Sequence, residues 1–209
     1  MKKIVIFDMD GTLIDSKKDI TISVNYVRMK NHDLPPLSEE YVVKAINKKH
    51  RNLAKLFYET EIYEEKDREL FEQHYKEQCI QNPYLYDGIK EVLESLHVNG
   101  VLMGVATNAP TPFAKEMLTH LGIEHYFVKI VGADKVKQPK PDPQMIHIIL
   151  EACSFEQGDK AWMVGDNPKD IEVAHNAGIE AIYATWGFQS DFDYEIKIKD
   201  PKEILKIVL

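Results

Sequence analysis

Long apolar runs are missing from this sequence. The first, Ile4–Phe7, has four residues and is ended by Asp8. That is too short for a secretory signal or a membrane span, despite the basic start Met1-Lys2-Lys3, and no later stretch is long enough to span a bilayer. Cysteine is scarce: Cys79 and Cys153 are the only two, far apart in the chain. They read as reduced thiols of a cytoplasmic protein rather than as a disulfide. No Cys/His cluster has zinc-ligand spacing, and the eight histidines are scattered. Cations are in deficit, with 26 Lys and Arg against 34 Asp and Glu, a net charge of −8. Nucleic-acid binding needs a basic face and is not expected. An anionic ligand would need a locally positive site, because the overall field repels it. Internal repeats and low-complexity segments are absent too. What remains has the composition of an ordinary globular protein, with 209 residues for one large domain or a domain with an insertion.

Against that background residues 4–15, Ile-Val-Ile-Phe-Asp-Met-Asp-Gly-Thr-Leu-Ile-Asp, stand out. Ile4–Phe7 has the length and β-branched content of a buried strand. It runs into two carboxylates, Asp8 and Asp10, and then a turn signal at Gly11-Thr12. Two acids this close repel unless a cation, a shared proton or a phosphate-binding task holds them. The placement points to a metal-assisted site in which one carboxylate is free to be a nucleophile.

Ser16-Lys17-Lys18-Asp19 has the capping-box form and opens a helix with Ile20, Val24 and Val27 on one face. Pro35-Pro36 break it. A second helical pattern carries Val42, Ile46, Leu53 and Phe57, and a third Leu70, Phe71, His74 and Tyr75. Residues 16–82 are therefore expected to be helical throughout. After Pro83 the pattern changes. Ile89, Val92, Leu93 and Leu96 predict an amphipathic helix. Strands follow at 101–106, 128–131, 161–164 and 179–184. Helices are expected at 112–121, 141–153, from Pro168 to before Gly178, and at 201–208. Strands alternating with helices imply an α/β fold: a Rossmann-like parallel sheet covered on both faces. Residues 1–15 and 83–209 form this core, and residues 16–82 a helical insertion.

In such a sheet, ligands bind at the carboxyl ends of the strands. Those ends carry Asp8 and Asp10, then Thr107 and Asn108, then Asp166. These residues, in order, resemble the motifs of haloacid dehalogenase-superfamily phosphatases. Asp8-Met9-Asp10-Gly11-Thr12 resembles the first motif and Thr107-Asn108 the second. Lys140, in Pro139-Lys140-Pro141-Asp142, resembles the third, and Gly165-Asp166-Asn167-Pro168-Lys169-Asp170 the fourth. The resemblance covers nearly the whole chain and implies a core with a helical cap inserted after the first motif.

It also implies roles. Asp8 is the expected nucleophile, forming an aspartyl-phosphate. Mg²⁺ is the expected cofactor, held by Asp8, the backbone carbonyl of Asp10, and Asp166. Asp170 supports the metal or Lys140. The Asp10 side chain would protonate the leaving alcohol and then deprotonate the attacking water. Thr107 and Lys140 would hold phosphoryl oxygens, with Thr12 and Asn108 adding hydrogen bonds. Simpler readings exist for each. Thr107-Asn108 is also turn chemistry, Lys135 or Lys137 could replace Lys140, and Asp170 is also an ordinary first-turn acid. Asp15 has no assigned role.

Five cations and no acid lie between Lys44 and Lys55. Lys48, Lys49 or Arg51 could pair with a second anionic group of a substrate, or form a solvated face. The layout most resembles the phosphoglycolate phosphatase group, which often carries Gly where this chain has Asn47. Trp186-Gly187-Phe188 resembles that group's Trp-Gly-aromatic turn, lining a rim or closing the core. The expected partner is a small phosphorylated metabolite, for a monomer or weak homodimer. The alternatives are a β-phosphoglucomutase, a phosphonatase using a cap lysine, a pyrophosphatase, and a non-catalytic binding protein on the same fold. Asp10 argues against a dehalogenase.

Overall fold

The structure is a computed structural model that describes residues 1–48, 52–189 and 192–209. The chain divides into two compact units, residues 1–15 with 85–209, and residues 16–84.

The first unit is built on a six-stranded parallel sheet. Its strands are β1 (Lys3–Phe7), β4 (Leu102–Ala106), β5 (Lys129–Val131), β6 (Lys160–Gly165), β7 (Glu180–Ala184) and β8 (Lys197–Ile198). The order is β5-β4-β1-β6-β7-β8. β1 lies between β4 and β6, with Phe7 opposite Val105 on one side and Val164 on the other. Ile4, Val5, Ile6 and Phe7 are all fully buried, as a strand covered on both faces requires. Ile4 and Ile6 share one core cluster with α7 (Gln144–Ala152) and α8 (Pro168–Asn176). Val5 and Phe7 alternate to the opposite face. The other α-helices of the unit, among the described residues, are α5 (Ile89–Val98), α6 (Thr111–His120) and α9 (Glu203–Val208). The apolar stripe of α5, Ile89, Val92, Leu93 and Leu96, is wholly buried. The expected α/β class is thus the observed one.

Two boundaries shift for local reasons. α7 begins at Gln144 rather than Pro141, because a residue that precedes proline disfavours helix and both Lys140 and Asp142 do so. Asp142 instead accepts the Gln144 N–H with its carboxylate, at 3.0 Å. β8 was not anticipated: with only two residues, it is too short to produce a periodic pattern.

The second unit holds α1 (Lys17–His32), α2 (Glu39–Asn47), α3 (Leu53–Tyr58) and α4 (Glu65–Gln78) around Val24, Val27, Val42, Ala45, Phe57 and Tyr58. The second helical pattern is two helices rather than one. α3 starts afresh at Asn52, whose side chain accepts the Lys55 N–H. The capping box at Ser16 does not form, and the Ser16 side chain makes no capping bond. Asp19 is buried and accepts from Gln78 Nε2 (2.7 Å), Asn82 Nδ2 (2.7 Å) and the Asn82 N–H (2.9 Å) instead. Three donors outweigh one cap bond, so the acid ties the start of α1 to the end of the unit. β2 (Ile14–Asp15) and β3 (Tyr84–Leu85), the strands of a small second sheet, fall at the two crossings of the chain. Among the described residues, no helix is long and apolar enough to cross a membrane.

Candidate active site

β1 delivers Asp8 at its carboxyl end, where the Asp8 N–H still donates to Val164 O at 2.8 Å. The chain then turns sharply: the Leu13 and Ile14 N–H groups both return to Met9 O, at 2.9 and 3.0 Å. Gly11 sits at φ +88°, a conformation other residues rarely adopt. A Cβ there would also overlap the Asp166 carboxylate. The glycine is needed because the turn passes directly beside that acid.

β6 ends at Gly165 and presents Asp166, and α8 begins at Pro168. Asn167 caps α8 in a full capping box with Asp170, whose Oδ2 accepts the Asn167 N–H at 3.0 Å. The first-turn reading of Asp170 is therefore right, but incomplete. Its other oxygen, Oδ1, accepts from Lys140 Nζ at 2.7 Å. The same ammonium donates to Asp8 Oδ1 at 2.7 Å and to Ala106 O at 2.8 Å. All three of its protons are thereby directed, and Lys140 is only 5% exposed. Lys135 and Lys137 do not substitute for it. Lys135 pairs with Asp134, and Lys137 is exposed. Asn108 grips the Lys140 backbone, accepting its N–H at 2.9 Å and donating to its carbonyl at 3.4 Å.

Asp8, Asp166 and Asp170 are all buried, and one oxygen of each lies within 4.8 Å of the others. Burial, then the charges of Asp8 and Asp170, push the Asp166 carboxyl well above the usual carboxylate range. The Phe188 N–H and the Thr12 hydroxyl act in the opposite direction. Asp170 is pushed up to about 6: burial outweighs the Lys140 charge, and Asp8 adds to it. Burial alone would lower the pKa of Lys140; Asp170 and Asp8 together raise it, so the ammonium stays charged. Three carboxylates share one paired ammonium here. A divalent cation would offset the remaining charge, and an all-oxygen donor set suits a hard ion such as Mg²⁺. The residues therefore fit the metal.

The other expected residues fall as follows. Thr107 is buried just beyond β4, and its hydroxyl oxygen accepts the Ala109 N–H at 3.1 Å, which is turn chemistry. Thr12 donates its hydroxyl to Asp166 Oδ1 at 3.2 Å. Asp10 is half-buried in the turn after β1 and stands outside the three-carboxylate group. Asp15 is buried in β2. Lys48, exposed, follows α2 in the second unit, while Lys49 and Arg51 lie outside the described residues. The Trp186-Gly187-Phe188 turn does more than close the core. The Phe188 N–H donates to Asp166 Oδ2 at 2.6 Å, and Trp186 Nε1 donates to Thr12 O at 3.1 Å. A Cβ at Gly187 would overlap Gly11 O and the Asp166 carboxylate. This turn follows β7 at the same sheet edge as the other groups, and that position was its available signal.

The family model for haloacid dehalogenase-like hydrolases matches residues 5–184, which contain Asp8, Thr107, Lys140, Asp166 and Asp170. The chain belongs to the haloacid dehalogenase-like hydrolases. A phosphoglycolate phosphatase from Vibrio parahaemolyticus is 33% identical over 195 residues, covering 89% of this chain and 85% of that one. An N-acetylmuramic acid 6-phosphate phosphatase from Pseudomonas aeruginosa is 29% identical, covering 99% and 94%. Among solved structures, a predicted phosphoglycolate phosphatase from Haemophilus somnus superposes with a TM-score of 0.84 at 29% identity. It covers 100% of this chain and 98% of that one. The protein is thus a haloacid dehalogenase-like phosphatase, an enzyme, with relatives that differ in the ester their names specify.

Proposed function

We propose that this phosphatase is a Mg²⁺-dependent phosphomonoesterase acting on a small phosphorylated metabolite through an aspartyl-phosphate on Asp8. The reading rests on one observation above all. Asp8 lies at the end of the central strand, its Oδ1 held by Lys140 at 2.7 Å and grouped with Asp166 and Asp170. A carboxylate attacks an anionic phosphate only where charge is neutralised and geometry held. Mg²⁺, held by Asp8, Asp166 and the Asp10 carbonyl, with Asp170 in support, would supply that neutralisation when bound.

In the first half-reaction an Asp8 oxygen bonds to phosphorus as the ester P–O bond breaks, and Asp10 gives the leaving oxygen a proton. In the second, Asp10 takes a proton from water as the water oxygen attacks phosphorus, and the Asp8 acyl-phosphate bond breaks. Phosphate leaves and both acids return to their starting states. Thr107 holds a phosphoryl oxygen, and the Lys140 proton now donated to Asp8 Oδ1 is the one that turns to the phosphoryl group. Thr12 and Asn108 act through what they grip: Thr12 aims Asp166, and Asn108 fixes the Lys140 backbone. Residues 16–82 serve as the cap that selects the substrate.

Phosphoglycolate is the first candidate substrate, since several relatives are named for it. A sugar 6-phosphate is the second, favoured by the Pseudomonas relative that spans nearly the whole chain. The test is a phosphate-release screen with Mg²⁺ over phosphoglycolate, sugar phosphates, nucleoside monophosphates and pyrophosphate. Asp8→Asn should abolish both turnover and the acid-stable phosphoenzyme. Full activity in that variant overturns the mechanism, and isomerisation of a sugar phosphate without phosphate release would reassign the enzyme as a mutase.

A further inference from the structure

Beside the edge strand β5 lies a cavity of about 390 Å³ that shares no residue with the carboxylate cluster. Its floor is apolar, built from Phe127, Ile130, Val131 and Ile148. Its rim is basic. Lys115 on α6, Lys129 on β5 and Lys135 just beyond it all line the opening, against a single acid, Glu124. Lys135 is partly neutralised by Asp134 at 3.2 Å. Lys115 and Lys129 are exposed and have no carboxylate partner among the described residues. In a chain of net charge −8, a rim on which lysines outnumber acids over an apolar floor is a local reversal of sign.

The floor is also tied to the core. Phe127 packs edge-on against Phe7, the residue before Asp8, with ring centroids 6.4 Å apart. Val131 O accepts the Thr107 N–H at 3.0 Å. The cavity is thus backed by packed core residues. Its volume lies at the small end of the range for small-molecule sites, and its chemistry is apolar body below, anion above.

We propose that this cavity is a second binding site, distinct from the phosphatase site, for a small molecule with a flat apolar body and one anionic group. The apolar body rests on Phe127, Ile130 and Ile148, and the anion meets Lys115 and Lys129. A second copy of the chain or an acidic peptide would need more contact surface than a cavity of this size offers, and the rim selects for charge.

The probe is 8-anilinonaphthalene-1-sulfonate, with the neutral N-phenyl-1-naphthylamine as its uncharged counterpart, titrated by fluorescence into the intact protein. The expected result is saturable binding of the sulfonate with a Kd that rises about fivefold in Lys115→Gln/Lys129→Gln, the size of two exposed charge contacts. The neutral probe should be unaffected by the substitution. Lys90→Gln/Lys206→Gln removes two exposed lysines elsewhere and should leave both titrations unchanged. Equal weakening in the two double variants, or no weakening in either, overturns the proposal. So does loss of probe binding with rising protein concentration alongside a dimer in sedimentation, which would assign the groove to a second copy. All four lysines are exposed, so unchanged melting temperatures are expected and separate loss of the site from loss of the fold.

Discussion

Replacing Lys140 by Met tests the electrostatic account of the site. The substitution keeps an unbranched side chain of similar bulk and removes the ammonium that donates to Asp8, Asp170 and Ala106 O. Deleting one partner of a buried ion pair costs about 3–5 kcal/mol when the other charge is left behind. Here that cost is limited, because a carboxyl can take up a proton, at about 1.4 kcal/mol per unit of pKa shift. Asp170 is already pushed up to about 6 with the lysine present, and without it the value rises further. A carboxyl raised above its unfolded value of about 3.9 binds protons in the folded state, so its contribution to stability falls as pH rises towards the folded pKa. In the native protein that loss is complete just above pH 6. In the variant it continues upward. The stability difference between the two should therefore open as pH rises through about 6. Near pH 8, without metal, it should reach about 3 kcal/mol, a fall of about 6–12 °C in Tm for a chain of this size. At pH 5 a smaller deficit remains, from the unpaired Ala106 carbonyl and lost packing. Scanning calorimetry in EDTA across pH 5–8 measures it. A deficit of the same size at both ends would place the cost in packing and refute the charge argument.

Three further outcomes follow from the same geometry. Mg²⁺ should raise Tm, by the equivalent of about 2.7 kcal/mol at a hundred times its Kd. At one fixed Mg²⁺ concentration the gain should be larger at pH 8 than at pH 5.5, because binding must displace protons from Asp166 and Asp170; a pH-independent gain would remove these acids from the site. Gly187→Ala places a methyl against Gly11 O and Asp166, and should cost about 1–3 kcal/mol and weaken Mg²⁺ binding measured by calorimetry, whereas unchanged metal affinity would show that the turn does not position Asp166. Neutralising Lys48, Lys49 and Arg51 together should raise KM for the preferred substrate with little change in kcat, and an unaltered KM would assign them to a solvated surface.

Elements whose signal lies within a few neighbouring residues are legible in the chain. Helix α5 and strand β1 announce themselves by spacing and by β-branched content, which need only neighbours a few residues away. The strand-end rule located Asp8, Thr107 and Asp166 without any contact information, because a parallel sheet turns every strand the same way. Local signals also misled where tertiary donors competed. Asp19 has the sequence of a cap and is instead bound by Gln78 and Asn82, about sixty positions on.

The sequence by itself determined the α/β class, the order of the main strands and helices of the core, and the three strand ends that carry Asp8, Thr107 and Asp166. Composition, periodicity and strand-end placement are properties of neighbouring residues, and they suffice for that. Only the tertiary structure decided which lysine meets Asp8, since Lys135, Lys137 and Lys140 differ locally by little and the chosen contact spans 132 positions. It alone showed Asp170 serving a helix cap and an ion pair at once, Thr12 committed to Asp166, and the Trp186-Gly187-Phe188 turn closing over that acid. Each of these is a distance of about 3 Å between segments brought together by burial of the core, and the packing that sets such distances has no local signature.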